Sequence, residues 1–387
     1  MAIAEDIARG REFGLFCAAE TTPGQLVFPE SNDAVLAAGF PDMNQNPSYT
    51  DSEEIQTDTR DLVDQFQDMT PAGTVPIKIY ARPSGTKGTV PMGNAILTSM
   101  FGKRTINAGA SVVYSPSVLK PALSVWYRRG PVVFFGRGGV VDQGKVNATN
   151  KGAVGVETNI QFMEMGWAGL DELAADAAAA ATSIKVANAK KFRKGARIYN
   201  KTQADSATEG YEVIDVNTST NMLTISPGIE AAGGWATGDV IRGYLPTPTK
   251  IGKPIESRKT TITIGGVTKV LMSLDVTFAD KIQMVDDEMT TSGFPEAYGE
   301  DRRTVKGTLK GHLRPADVQR FFDGFEGTEQ AVSILFGSTD GHKLQQDMAR
   351  CRIQVPKLTN NGPFIDWSCD FAALGTNGED SMTWTFK

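Results

Sequence analysis

The stretch Arg303 to Leu313, RTVKGTLKGHL, followed at once by Arg314 to Gly327, RPADVQRFFDGFEG, decides how the rest of the chain is read. Val305, Gly307, Leu309, Gly311 and Leu313 alternate with Thr304, Lys306, Thr308, Lys310 and His312, the period-two pattern of a strand with one buried and one wet face. Pro315 then opens a segment in which Val318, Phe321, Phe322 and Phe325 fall at helical spacing, so the strand is predicted to run into a short amphipathic helix. The same order occurs earlier. Val75, Ile77, Ile79 and Ala81 alternate with polar or Pro positions, and Pro91 to Lys103 puts Ile96, Leu97, Met100 and Phe101 on one side of a helix-like run. The chain reads as one unit used twice.

With 387 residues and a prior of roughly 150 per domain, two or three domains are expected. Forty glycines, 19 prolines and 8% aromatics favour many short strands and turns, hence a mainly β protein. A net charge of -6 gives no general affinity for nucleic acid, which needs a surplus of Lys and Arg. Cys17, Cys351 and Cys369 have no CxxC spacing, so neither a disulfide framework nor a zinc site is expected, and a reducing compartment is the simpler reading. Charges within the first dozen residues and the lack of any run of about 18 apolar residues predict a soluble, non-secreted chain without membrane insertion.

Residues 1–50, punctuated by Pro23, Pro29, Pro41 and Pro47, read as an arm draped on something else. Residues 51–169 form the first unit, with a hairpin from Leu123 to Val141 and a last strand over Val154 to Met163. Residues 170–249 form a small inserted β module, with strands expected at Ser183–Val186, Arg197–Tyr199, Tyr211–Val216, Leu223–Ser226 and Val240–Tyr244. Its lead, Asp171 to Ala181, is either a helix or flexible. Residues 250–387 form the second unit: alternation over Met272 to Phe278, a polar loop from Asp280 to Arg302, then the opening strand and helix. Strands follow at Ala331–Gly337, Arg350–Val355 and Ile365–Phe371.

No catalytic, cofactor-binding or metal constellation emerges. His312 and His342 lie far apart, and no HExxH or G-x-S-x-G is present. Gly136-Arg137-Gly138-Gly139 reads as a hairpin turn, because it opens no helix that could hold a phosphate. Asp286-Asp287-Glu288 lacks the ladder of a calcium loop and reads as a solvated or intermolecular charge run. Trp126-Tyr127-Arg128-Arg129 reads as a strand and its turn.

Taken together, the strand Val270 to Phe278, the loop Asp280 to Arg302, the strand and helix Arg303 to Phe325 and the closing hairpin Arg350 to Leu374 resemble the tail tube proteins of long non-contractile-tailed bacteriophages, here with two tube domains per chain. The module resembles the small β domains that decorate phage tail exteriors. The resemblance implies a structural virion protein, not an enzyme, of duplicated β-sandwich or barrel units, each with a short helix. Its rings stack into a tube, the conduit for genome delivery. The implied partners are further copies of itself, the tape measure protein, the tail terminator and tip proteins, and viral DNA transiently in the lumen. The implied location is the virion tail, assembled in the host cytoplasm. A β-rich tail fibre or receptor-binding protein and a head-decoration protein are the alternatives.

On that reading, Glu157, Asn159, Gln161, Asp275, Thr277, Asp366 and Asp370 should face the lumen as an acidic lining that repels phosphates, with Lys306 and Lys310 pairing with Asp366 or Asp370. Asp286, Asp287 and Glu288 should bridge to the next ring and meet Lys253, Arg258 or Lys259. The module, with its basic Lys190, Lys191, Arg193, Lys194 and Arg197, should project from the outer wall and be dispensable for assembly. Two units per chain favour three chains in a pseudo-hexameric ring, with six chains as the alternative. Pro76, inside the first unit's key strand, should lie at an edge or bulge.

Overall fold

Period-two alternation dominates this chain, and the computed structural model, which describes residues 12–54, 61–203 and 209–387, turns it into antiparallel sheets. The first half supplies β1 (Phe13–Ala19), the small hairpin β2 (Tyr49–Asp51) and β3 (Gln65–Gln67), β4 (Gly73–Tyr80) and helix α1 (Asn94–Phe101). It continues with β5 (Gly102–Asn107), β6 (Ser111–Pro116), β7 (Leu123–Arg129), β8 (Val132–Thr149), β9 (Gly155–Phe162) and β10 (Glu164–Ala168). A middle segment holds β11 (Leu170–Glu172), β12 (Ser183–Lys185), β13 (Arg197–Asn200), β14 (Tyr211–Asn217), β15 (Met222–Ser226) and β16 (Val240–Gly243). The second half opens with β17 (Thr260–Ile264), β18 (Val267–Lys269), β19 (Ser273–Ala279), the hairpin β20 (Ile282–Met284) and β21 (Tyr298–Glu300), and β22 (Thr304–His312). Helix α2 (Gln319–Glu326), β23 (Glu329–Phe336), β24 (Leu344–Ile353), β25 (Lys357–Asn361), β26 (Phe364–Leu374) and β27 (Thr383–Phe386) complete it. The protein is mainly β.

One pairing order occurs in both halves. In the first, β1 pairs β7, β7 pairs β8, β8 pairs β10 near its start and β9 further on, and β9 pairs β4. In the second, β17 pairs β23, β23 pairs β24, β24 pairs β27 near its start and β26 further on, and β26 pairs β22. Each of β4 and β22 leads into the helix of its half. Beside β22 lies β19; beside β4 lies the segment 37–44, bridged at Ala37–Ile79 and Asn44–Thr74. Pro41 within that segment keeps it from becoming a regular strand.

The halves join because β19 also pairs the second part of β8, from Ser273 opposite Thr149 to Ala279 opposite Gln143. Strands β4, β9, β8, β19, β22 and β26 thereby form one uninterrupted sheet. Its inner face buries Val75, Ile77, Val156, Ile160, Val146, Val276, Leu309 and Phe371 in a core shared by both halves. A second joint forms where β27 pairs β6, with Trp384 opposite Tyr114.

Several expectations change. Residues 1–11 of the expected arm lie outside the described residues, but Phe13–Ala19 is no arm: it pairs with β7 along its length and buries Leu15, Phe16, Cys17 and Ala18. Burial on both faces removes the alternation by which a strand is recognised. Gly136 to Gly139 is not a turn but the bend of β8, where the strand passes from β7 and β10 to β9 and β19. Gly138 has φ +64, and a Cβ there would fall 2.4 Å from Met163 Sδ. Asp171 to Ala181 is neither helix nor loose lead; it begins as β11 and then bridges Trp235 from Ala177. The hairpin β5–β6 and strand β27 had no forecast.

Pro76 sits where an edge was expected. Thr74 exchanges backbone hydrogen bonds with Asn44, and the Lys78 carbonyl accepts from the Ala38 N–H. Alternate residues direct their backbone groups to the same side of a strand. The missing N–H of Pro76 therefore points to the irregular 37–44 segment and leaves the β4–β9 ladder intact.

The module's five expected strands are present, and β11 makes a sixth. The sheet order β11-β16-β13-β14-β15-β12 is closed by a bridge between Leu173 and Val186, giving a small barrel around Ile198, Tyr211, Val213, Leu223, Ile225, Trp235 and Ile241. That core also takes in Phe16, Trp126, Val133 and Phe135 of the first half. The module is thus seated on its neighbour, and excising it would uncover those aromatic side chains.

Candidate functional site

Alternation along six adjacent strands puts every second side chain of the continuous sheet on its solvent side. Register aligns these side chains in rows. One row runs Lys78, Glu157, Lys145, Thr277, Lys306, Ala372; the next runs Tyr80, Gly155, Asn147, Asp275, Thr308, Asp370. Asn159 and Gln161 continue the face beside Pro76 and Thr74, and Asp366 continues it beside His312. All seven residues expected to line a channel therefore lie on one side of one sheet, although they come from both halves.

The face is not an acidic lining. Lys78, Lys145, Lys306 and Lys310 are interleaved with Glu157, Asp275, Asp366 and Asp370, because strand alternation sorts side chains by parity and not by sign. Lys78 Nζ meets Glu157 Oε1 at 2.5 Å, and Asn147 Nδ2 donates to the same oxygen at 3.0 Å. The lysine hydrogen bond holds the Glu157 carboxyl below its ordinary range. Lys145 reaches Asp275 at 3.8 Å. The expected pairing of Lys306 and Lys310 with Asp366 or Asp370 does not form, since register places these lysines opposite Ala372 and Ser368. Asp366 instead meets His312 Nδ1 at 2.6 Å and accepts from Asn361 at 2.8 Å, while Asp370 accepts from Thr308 Oγ1 at 2.7 Å. A groove on this face is lined by Lys145, Asp275, Lys306, Thr308, Arg352 and Asp370.

The long loop after β19 is anchored by a buried ionic cluster that sequence reading missed. Asp280 and Lys120 are both buried and form an ion pair, Arg303 Nε donates to Asp280 Oδ1 at 2.6 Å, and Lys120 Nζ donates to the Val141 carbonyl at 2.9 Å. Burial pushes the Lys120 ammonium below its ordinary pKa. Arg303 extends the cluster to Glu379 at 2.5 Å. The three core members are separated by more than twenty positions, so no local pattern announces them. Beyond this anchor, Asp286, Asp287 and Glu288 stand exposed at the loop tip.

In the module, Lys190, Lys191, Arg193 and Lys194 are exposed and Arg197 is half-buried. The patch is partly neutralised. Lys191 meets Asp171 at 2.6 Å, Arg197 meets Glu209 at 3.6 Å and Glu212 at 4.0 Å, and Arg193 lies 4.4 Å over the Trp167 ring. The three cysteines are buried and unpaired, and burial pushes the Cys351 and Cys369 thiols up to about 12. No sequence profile of a known family and no curated protein matches this chain.

Proposed function

We propose that the chain is a structural protein of a phage tail whose copies close into rings and stack into a tube, with the polar face of the continuous sheet toward the channel. The observation that carries this reading is that the seven channel candidates share one side of a sheet to which both halves contribute. The recurring pairing order favours two tube units per chain, and so three chains for six-fold inner geometry. The mixed face suits a conduit. Phosphate retention needs clustered Lys and Arg that displace counterions, and here Lys78, Lys145, Lys306, Lys310 and Arg352 stand among Glu157, Asp275, Asp366 and Asp370. On this reading the loop tip at Asp286–Glu288 meets the next ring, the tape measure protein occupies the lumen before DNA, and terminator and tip proteins cap the ends. The chain acts in the virion tail after assembly in the host cytoplasm.

Negative-stain microscopy of the purified protein tests this. Tubes or stacked rings, with three identical outer projections in views down the axis, are the expected result. Isolated monomers or fibrous trimers at every concentration would overturn it, and six projections would replace three chains by six.

A further inference from the structure

We infer that two copies of the chain meet through the outer face of α2 and the free edge of β25 on one copy and the segment 37–44 on the next, in the way the two halves meet inside one chain. This rests on the ring reading above.

Inside the chain, the second part of β8 has β9 on one side and β19 on the other. In the second half the matching position is filled by the end of β24 together with β25. These follow β26 in turn, from Arg350 opposite Leu374 to Ile353 opposite Phe371, then from Lys357 opposite Ser368 to Asn361 opposite Phe364. On its other side β25 has no strand partner among the described residues, and all five of its residues are exposed. An open edge of this kind is a template for another chain. By pairing order, what belongs there is the counterpart of β19. That counterpart is the segment 37–44, at the opposite end of the same sheet.

The side chains agree with the backbone. On the side of the β25 edge that carries α2, Phe322 is 58% exposed, Phe325 87% and Leu358, opposite Trp367, 51%. At the opposite end Phe40 is 62% exposed. Exposed apolar groups gathered at an open edge mark a protein contact. At the internal junction the equivalent helix is covered: Phe101 of α1 packs 4.8 Å from Phe278 of β19 and 5.1 Å from Trp384. Two different edges at opposite ends of one sheet make a head-to-tail contact, which closes into a ring when the rotation allows. A second copy is the occupant because it carries an edge in the required pairing order.

The test joins two variants. Phe322→Asp with Phe325→Asp alters only exposed helix positions, so thermal unfolding should stay at the wild-type midpoint while the assembled fraction in sedimentation falls about tenfold or more. Phe40→Cys with Leu358→Cys, oxidised after assembly, should give a non-reducing ladder that stops at one ring, the native cysteines being buried. Wild-type levels of tubes in the Asp variant, or tubes without any ladder, would overturn the contact and leave the tube reading standing. Wild-type protein that stays monomeric at every concentration would remove both. Should the Asp variant fail to fold, the ladder alone decides.

Discussion

The two helices hold the same place in the two halves and turn opposite faces to the core. Helix α1 follows β4 and buries Ile96, Leu97, Met100 and Phe101. Helix α2 follows β22, buries Arg320, and leaves Phe322 and Phe325 in solvent. Arg320 lies 4.3 Å over the Trp367 ring and 3.4 Å from Asp317, so an arginine fills the position that an apolar side chain was expected to take. The chain after each helix accounts for the difference. After α1 the β5–β6 hairpin folds back and β6 pairs β27, which closes the helix in; after α2 the chain passes through Gly327 and Thr328 straight into β23. An amphipathic pattern says that a helix has an apolar face. It does not say whether the same chain will cover it.

Phe101→Ala breaks this comparison hardest. It should cost about 3–5 kcal/mol of folding stability, the range for emptying a fully buried aromatic site. Phe325→Ala at the other helix should stay within about 0.5 kcal/mol. Denaturant unfolding of both variants checks the contrast, and equal losses would mean that α2 is covered within the chain after all.

The internal junction has an ionic lock. Asp280→Asn should destabilise by about 3 kcal/mol, because it leaves Lys120 charged and buried without its carboxylate. Replacing Lys120 with Met in the same background should recover part of that loss, since the uncompensated charge is then gone. Unfolding midpoints of the single and double variants decide this.

At α2, Arg320→Met should cost about 1–2 kcal/mol. The stem's packing on Trp367 is kept, but the buried Asp317 loses one of its two cationic partners and retains only Lys269 at 3.4 Å. A loss of several kcal/mol would show instead that the pair with Asp317 holds the helix in place.

The smallest effect is expected at Asp340, which joins the halves by pairing with Lys87 at 2.5 Å and Lys343 at 2.6 Å. The hydrogen bonds from Lys343 and then Lys87 hold its carboxyl down at about 2. A depressed carboxyl pKa contributes stability above the unfolded value of 3.8 that is lost as pH falls through the folded value. Asp340→Asn should therefore lower stability at neutral pH only slightly, the pair being exposed, and flatten by that same small amount the decline between pH 3.8 and about 2, as read by acid titration of the circular dichroism signal.

Much of the architecture is legible where a strand has one wet face. Thr304–His312, Gly155–Phe162 and the module strands at Arg197–Asn200 and Tyr211–Asn217 could be located from alternation. The misses have physical causes. Phe13–Ala19 is buried on both sides; Gly102–Asn107 is open on both sides, with Lys103, Arg104, Thr105, Ile106 and Asn107 all exposed; and Thr383–Phe386 is only four residues long. The glycines at 136, 138 and 139 mimic a turn because a strand bend and a turn both need backbone without a Cβ.

Sequence by itself determined which residues share a face: Glu157 with Asn159 and Gln161, Asp275 with Thr277, Asp366 with Asp370. Strand parity is a local covalent property, and no distant contact can alter it. Tertiary structure decided which strands lie side by side, and hence that these three sets form one surface, that lysines stand among the carboxylates, and that Lys120, Asp280 and Arg303 meet. Such neighbours are chosen by burying one apolar face per strand against partners that lie far along the chain, and no window of sequence contains that choice.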